Sequence, residues 1–175
     1  ALTALSLDMM LPALPAIGHR FAGVHTNDLQ LVILLYLAGF AAGHLYAGPL
    51  SDRLGRKPVL MAGLVVYALG GLMAALAPSF ATLLMARVVQ GLGAAAPRVV
   101  AMAVVRDRYA GRGMSRVMSF VMMVFILVPV VAPSLGSVAI QLGPWQGIFA
   151  FLLVFGAGLA IWSAIRLEET CPPGR

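Results

Sequence analysis

The chain has 175 residues, of which 61% are hydrophobic and only 10% are charged. Soluble domains carry about 25% charged residues, because their surfaces contact water, so this composition excludes an ordinary soluble protein and indicates an integral membrane protein. In such a protein, a net charge of +6 indicates loop arginines that orient the chain in the bilayer, and no nucleic-acid partner is expected.

Six segments are long and apolar enough to be membrane helices, which need about 20 mostly apolar residues each. They cover residues 1–17, 28–50, 58–77, 80–105, 115–141 and 145–166, and residues 167–175 are expected to begin a cytoplasmic linker. The first segment is expected to be incomplete, because the chain opens inside an apolar run. Asn27, with Gln30 three residues later, is predicted to cap the second helix.

The segment from Ala47 to Leu60, AGPLSDRLGRKPVL, contains four charged residues between two apolar runs. Its basic residues belong to a pattern: apart from Arg87 and Arg98, nine of the ten basic residues lie in alternate loops or the tail, and only Arg20 lies on the other side. Because basic loops stay in the cytoplasm, residues 51–57, residues 106–116 and both termini are predicted to be cytoplasmic.

Three charged residues, Asp8, Arg87 and Arg98, fall inside the predicted segments, where each costs at least ~2.5–3.5 kcal/mol on insertion scales. Asp8 and Arg87 lie at similar depths, so an ion pair and a shared polar cavity are both open. Arg87 and Arg98 are eleven residues apart, which returns to nearly the same helix face. With Gln90, Gly91 and Ala94 on or beside it, this face is predicted to line a cavity.

The fifth segment contains Pro129 and Pro133, each of which removes a helical hydrogen bond. A moving gate and a static kink are both consistent with these prolines. Gly39 and Gly43 in the second segment have the spacing that lets membrane helices approach closely. The sequence shows neither a metal-ligand spacing nor a catalytic triad, so no metal site, catalytic residue or enzyme is expected.

Several motifs resemble those of the major facilitator superfamily. GPLSDRLGRKPVL resembles its signature loop between helices two and three, and RVVQGLGAAA resembles its R-x-x-Q-G motif in helix four. APSLG resembles a shortened antiporter motif, and LDMMLPALPAI resembles the helix-one motif of drug/proton antiporters. With VVRD and GPWQGIF, the set is similar to the Bcr/CflA (bicyclomycin-resistance) type, although Ala132 replaces a usual glycine and His44 a frequent glutamine.

The resemblance implies an all-α membrane fold: a six-helix N-terminal half, built from two inverted three-helix repeats, of a twelve-helix transporter in the cell inner membrane. It implies proton-coupled efflux of drugs or other small amphipathic compounds, driven by the proton gradient without a cofactor. The implied partners are the substrate, protons, the lipid bilayer and the missing C-terminal half.

The motifs, together with the charged residues and prolines inside the predicted segments, assign residues to roles. Those expected on the substrate and proton pathway are Asp8, Arg87, Gln90 and Arg98. Those expected in a cytoplasmic gating loop are Gly48, Asp52, Arg53, Gly55, Arg56, Lys57, Arg106 and Asp107. Those expected in a helix-five gate are Pro129, Pro133 and Gly136. The alternatives are a half-length binding or scaffold protein, an importer of another small solute and, third, a membrane enzyme.

Overall fold

The computed structural model describes residues 2–21, 23–25, 27–167 and 169, and within them all regular structure is helical, with no strand. Most of the predicted linker, including Cys171, lies outside the described residues. The helices are α1 (Leu2–Asp8), α2 (Leu14–Arg20), α3 (Leu31–Leu54), α4 (Arg56–Ala75), α5 (Phe80–Arg108), α6 (Gly111–Leu142) and α7 (Gln146–Arg166). Five of them, α3 (with the turn Asp28–Gln30 before it) to α7, are long and apolar enough to cross a membrane.

The first predicted segment, residues 1–17, is two short helices rather than one. Helix α1 ends at Asp8, a 3₁₀ turn covers Leu11–Ala13, and α2 follows at once. Pro12 and Pro15 supply no backbone N–H, so regular i→i−4 bonding cannot run through this stretch. The Met10 N–H instead donates to the Leu7 carbonyl at 3.1 Å, three residues back.

The predicted cap at Asn27 is wrong. Asn27 has helical backbone angles (φ −67°, ψ −31°) and its side chain makes no capping hydrogen bond. A capping side chain needs an extended backbone at that position, and a 3₁₀ turn begins at the next residue, Asp28. Ser79 fulfils the condition before α5: its backbone is extended and its Oγ accepts the Thr82 N–H at 3.2 Å.

The charged stretch at residues 51–57 is almost entirely helical rather than a loop. Helix α3 runs through Pro49 to Leu54, and α4 begins at Arg56, so Gly55 alone reverses the chain. Gly55 has φ +99°, a conformation that side chains beyond glycine rarely adopt. The tight reversal places the last turn of α3 beside the first turn of α4.

Helix α5 is the centre of the packing, with α3 on one side and α4 on the other. A Cβ on Gly91 would fall on the Tyr36 carbonyl oxygen of α3, and one on Gly93 would fall on the Tyr67 nitrogen of α4. Gly39 meets the Val88 backbone in the same way. The close approach predicted for the second segment is therefore confirmed, and it depends on paired small residues.

The contacts follow a repeat of three helices. When α1 and α2 together are counted as the first element, α5 is the fourth; α5 packs on α3 and α4, and α1 packs on α6 and α7. Helices α4 and α7, the third elements of each set, contact each other. These contacts agree with the two three-helix repeats that the sequence predicts. Helix α6 is the least covered long helix, with only Ala132 and Gly136 buried.

Candidate functional site

Arg87 is fully buried at the centre of the helices. Its Nε donates to the Val32 carbonyl of α3 at 3.2 Å, its Nη1 to the Gln90 side-chain oxygen at 2.7 Å, and its Nη2 to the Ser6 carbonyl of α1 at 3.2 Å. The guanidinium carbon lies 4.4 Å from the centre of the Tyr36 ring. One side chain of α5 thus joins three helices.

All the hydrogen-bond partners of Arg87 are neutral. Among the described residues no carboxylate pairs with it, so of the two alternatives left open for Asp8 and Arg87 the ion pair is not formed. Asp8 is partly exposed at the end of α1. The carbonyl of Ser6, two residues earlier, accepts the hydrogen bond from Arg87 Nη2 instead. The charge is balanced by carbonyl dipoles and an aromatic face, which are weaker partners than a carboxylate.

Hydroxyl groups extend this arrangement into α4. Ser6 Oγ donates to the Leu2 carbonyl at 2.8 Å and lies 2.7 Å from Tyr67 Oη, with all of Ser6, Tyr36 and Tyr67 buried. We call Ser6, Tyr36, Tyr67, Arg87 and Gln90 the core arginine cluster. The sequence analysis missed its serine and tyrosines, since nothing local distinguishes them from ordinary membrane-helix residues.

The face of α5 that carries Arg87 and Arg98 was predicted to line a cavity, and only part of it does. Gln90 and Gly91 are buried against neighbouring helices, whereas Ala94, also buried, borders a cavity together with Arg98. The small residues there serve close packing, which the helical spacing alone did not separate from a cavity wall.

The same face opens at Arg98, which is exposed. Its guanidinium carbon lies 4.8 Å from the centre of the Phe125 ring of α6. Arg98 borders a cavity of about 530 Å³ between α1, α5 and α6, which we call the Arg98 cavity. It also borders a polar cleft of about 380 Å³ between α3 and α5. The two predicted pathway arginines therefore occupy different environments.

Arg56 organises the charged end of α3, α4 and α5. Its Nη1 donates to Ser51 Oγ at 2.8 Å and pairs with Asp52, one turn earlier, while its Nε donates to Asp107 Oδ2 of α5 at 3.1 Å. We call Ser51, Asp52, Arg56 and Asp107 the surface arginine cluster. Ser51, directly before Asp52, was not predicted; it is buried, and its Oγ also donates to the Gly48 carbonyl.

The tail after α7 contacts the same end of α4. Glu169 accepts the backbone N–H groups of Arg56 at 2.8 Å and Lys57 at 3.0 Å, and Lys57 Nζ donates to the Ala164 carbonyl of α7 at 2.8 Å. A carboxylate that accepts the first free N–H groups of a helix stabilises that helix. Nothing in the sequence pointed to Glu169, because more than a hundred residues separate it from its partners.

The remaining residues predicted for the gating loop lie around the surface arginine cluster rather than in it. Gly48 and Arg106 border the polar cleft, together with His44, Asp52 and Arg98. Arg53 and Arg106 are exposed. The structure therefore brings Arg56, Asp52 and Asp107 into direct contact and places Arg53 and Arg106 at the surface around them.

The predicted helix-five gate residues lie in one unbroken helix. Helix α6 runs from Gly111 to Leu142 through both Pro129 and Pro133. Gly136 faces the break in the first segment: a Cβ there would fall on the Met9 carbonyl oxygen and 2.9 Å from Pro12 Cγ. The close contact of α6 with the chain after α1 therefore depends on glycine at this position.

The part of the chain that the structure describes contains no group of three or more His, Cys, Asp or Glu side chains that could hold a metal ion. The groups present are arginines, carboxylates, hydroxyls and amides. They can exchange hydrogen bonds and protons, and they can bind charged solutes.

Comparisons with known proteins agree with this architecture. A family model described as Major Facilitator Superfamily matches residues 1–174. The chain is similar to multidrug resistance protein MdtL of Klebsiella pneumoniae (strain 342), with 36% identity over 166 residues, which cover 95% of the chain and 42% of MdtL. It is also similar to the uncharacterized MFS-type transporter YdgK of Bacillus subtilis (strain 168), with 36% identity over 170 residues, 96% of the chain and 42% of YdgK.

A solved structure has the same fold. The crystal structure of the human organic anion transporter MFSD10 (TETRAN) superimposes with a TM-score of 0.78 and 24% identity, covering 98% of this chain and 46% of that one. The chain thus spans less than half the length of the relatives that it matches.

Proposed function

Because the chain belongs to the Major Facilitator Superfamily, we propose that it forms one half of a transporter that moves small amphipathic compounds across the membrane by alternating access. We further propose a proton-coupled drug exporter of the Bcr/CflA type, in the cell inner membrane, with a second six-helix half as its partner. The similarity to MdtL, named a multidrug resistance protein, supports drug export.

The observation that carries the proposal is the surface arginine cluster. Arg56 joins the ends of α3, α4 and α5 through two carboxylates, and the Asp52 side chain is 64% exposed. Exposed ion pairs contribute about 0–1 kcal/mol each. Breaking or forming a few of them therefore changes the free energy by an amount that shifts the populations of two conformational states. This is the physical requirement of a latch on one side of an alternating-access transporter.

Asp8 is the proposed carrier of the coupled proton. It is a carboxylate of the first predicted membrane segment, at the break between α1 and the following 3₁₀ turn, and it forms no ion pair with a described residue. Broken helices often carry coupling sites in transporters. Each proton that moves inward across 100 mV supplies about 2.3 kcal/mol, which supports modest accumulation against a gradient.

The proposed orientation places both termini, the α3–α4 turn and the α5–α6 turn in the cytoplasm, because the basic residues are concentrated there. A cysteine at position 54, in a background without Cys171, tests this. A membrane-impermeant maleimide is expected to label it only after the cells are opened. Labelling from outside intact cells would reverse the orientation.

The proposed activity is tested in proteoliposomes that contain the transporter of which this chain is a half. An imposed proton gradient is expected to drive drug flux and a matching proton movement, and Asp8→Asn is expected to abolish the proton movement. Flux that is unaffected by the gradient would rule out proton coupling. Binding without any flux would favour the binding or scaffold role.

A further inference from the structure

The first turn of α4 holds two cations at the end of a helix that disfavours them. Arg56 and Lys57 are the first two residues of α4, and its first turn contains no acidic residue. The free N–H groups and aligned peptide dipoles at a helix start favour anions and disfavour cations. The stability of this turn therefore depends on groups that another part of the chain supplies.

The four N–H groups that a helix leaves free at its start are all accounted for in α4. The Gly55 N–H donates back to the last turn of α3 at 3.2 Å. The N–H groups of Arg56 and Lys57 donate to the two carboxylate oxygens of Glu169, at 2.8 and 3.0 Å. Pro58, the third residue of the helix, has no N–H to satisfy. Glu169 thus caps both of the N–H groups that the α3–α4 turn itself does not satisfy.

The reverse contact caps α7. Lys57 Nζ donates to the Ala164 carbonyl at 2.8 Å, and Ala164 is the third residue from the end of α7. A helix leaves its last carbonyls without a partner, and a cation is favourable there. Each helix therefore caps the other: α4 supplies a cation to the end of α7, and the chain just after α7 supplies an anion to the start of α4.

We propose that Glu169 is a positioning residue for the surface arginine cluster, so that the segment after α7 controls the proposed latch. This inference rests on the proposed function, in which that cluster forms and breaks during transport. Arg56 is the link between the two, because Glu169 holds its backbone while its side chain holds Asp52 and Asp107.

The cap and the cluster depend on each other through the first residue of α4. Helix ends fray, and without Glu169 the first turn of α4 has two uncapped N–H groups beside two cations. Fraying of this turn removes the fixed backbone from which the Arg56 side chain reaches α3 and α5. In the proposed transporter, the segment after α7 begins the linker to the second half. Movement of that half therefore reaches the latch through the chain itself.

Residue-resolved hydrogen–deuterium exchange of the 175-residue chain in phosphatidylcholine nanodiscs tests the cap. In Glu169→Ala, we expect the Arg56 and Lys57 amides to exchange about tenfold faster, which corresponds to ~1.4 kcal/mol and is the size of a helix cap. Glu169→Gln keeps one acceptor oxygen and should have a smaller effect. The Gly55 amide is the internal reference and should not change, because its hydrogen bond does not involve Glu169.

Two matched variants separate the cap from other effects of charge. Asp28→Asn removes one carboxylate from the turn before α3, at the other end of that helix, and should leave both amides unchanged. Asp52→Asn breaks the side-chain pair with Arg56 but not the bonds to its backbone, and should also leave the amides protected. Unchanged exchange in Glu169→Ala, or equal acceleration in either matched variant, would overturn the proposal.

Control of the latch is tested in the transporter of which this chain is a half. In inside-out vesicles, Glu169→Ala should raise maleimide labelling of a cysteine at position 54 and lower turnover, as Asp52→Asn does. The two changes combined should have less than the sum of their separate effects, because both act on Arg56. Fully additive effects would overturn action through the surface arginine cluster.

Amide exchange requires no flux, so the two parts of the test fail separately. Loss of amide protection with unchanged labelling and turnover would keep the cap and the proposed transport but overturn control of the latch. A transporter without any flux would remove the proposed function, and the latch with it, while the amide result would still establish the cap.

Discussion

The core arginine cluster and the surface arginine cluster each use one guanidinium to join three helices, but with opposite kinds of partner. Arg56 pairs with two carboxylates that are 64% and 29% exposed. Arg87 is fully buried and bonds only to neutral oxygens. Water and salt compete for the surface pairs and weaken them, whereas nothing replaces the partners of a buried cation. The surface cluster is therefore suited to breaking during the proposed transport cycle, and the core cluster to persisting.

The largest expected effect is at Arg87. Replacing it with alanine leaves the Val32 and Ser6 carbonyls without their donor in a buried site, which should cost about 1–3 kcal/mol of unfolding free energy for each carbonyl and abolish coupled transport. Arg87→Lys should retain part of the flux, since lysine has fewer donors and no rigid fork. Unfolding in detergent and proton-coupled flux are the measurements.

Arg98→Ala on the same helix is the control for stability, because Arg98 is exposed; it should cost under about 1 kcal/mol. If both alanine variants lose equally little stability, Arg87 does not anchor the core, and the contrast with the surface cluster fails.

The second-largest effect is expected at Gly91, which allows α3 and α5 to pack closely beside Arg87. Gly91→Ala sets a methyl group on the Tyr36 carbonyl and forces α3 away from α5. We expect a loss of roughly 1–3 kcal/mol, as for other overpacked sites. Gly158→Ala, where a Cβ meets nothing within 4 Å, should instead stabilise α7 by about 0.5–1 kcal/mol. Thermal unfolding of the two variants compares them directly, and the same sign for both would contradict the close-packing argument.

Smaller effects are expected from the two surface carboxylates. Asp52→Asn should lower turnover and increase the inward-open population, while substrate affinity stays within about tenfold, or ~1.4 kcal/mol. Asp107→Asn should act in the same direction and more strongly, because Asp107 is the less exposed partner of Arg56. Flux, ligand affinity and cysteine accessibility at the α3–α4 turn are measured on each variant.

Unchanged flux and accessibility in both variants would mean that the charged stretch only orients the chain in the membrane. Lost substrate binding would mean that the substrate site lies in the surface cluster.

The smallest expected effect is the dependence on salt. Raising the ionic strength to 1 M shortens the Debye length to about 3 Å, so the destabilisation caused by Arg56→Gln should shrink markedly. The destabilisation caused by Arg87→Ala should not change, because its partners are buried and neutral. Equal salt sensitivity in the two variants would show that the clusters do not differ in the way described.

Much of the fold was predictable because membrane helices need long apolar runs and their ends need turn signals. The helices that cross the membrane after the first segment, the glycine contact of Gly39 and the all-helical fold follow from composition and spacing. The break in the first segment was not predicted. Pro12 and Pro15 lower the hydropathy of the segment only slightly, but each lacks the N–H that a continuous helix needs. The cap at Asn27 was predicted wrongly because an asparagine side chain can cap a helix, whereas the backbone of Asn27 is helical and not extended.

By itself, the sequence determined which residues carry charge in an apolar chain, which helix faces they share and which motifs they form. It could not determine which residues of other helices contact each face. Arg87 and Arg98 have the same helical phase, yet packing buries the first and leaves the second beside a cavity. Likewise, tertiary structure decided that Arg56 is the centre of the charged stretch and that Glu169 reaches it. Helical spacing is a local property of one segment, whereas a partner is supplied by another helix, whose position depends on all the packing contacts together.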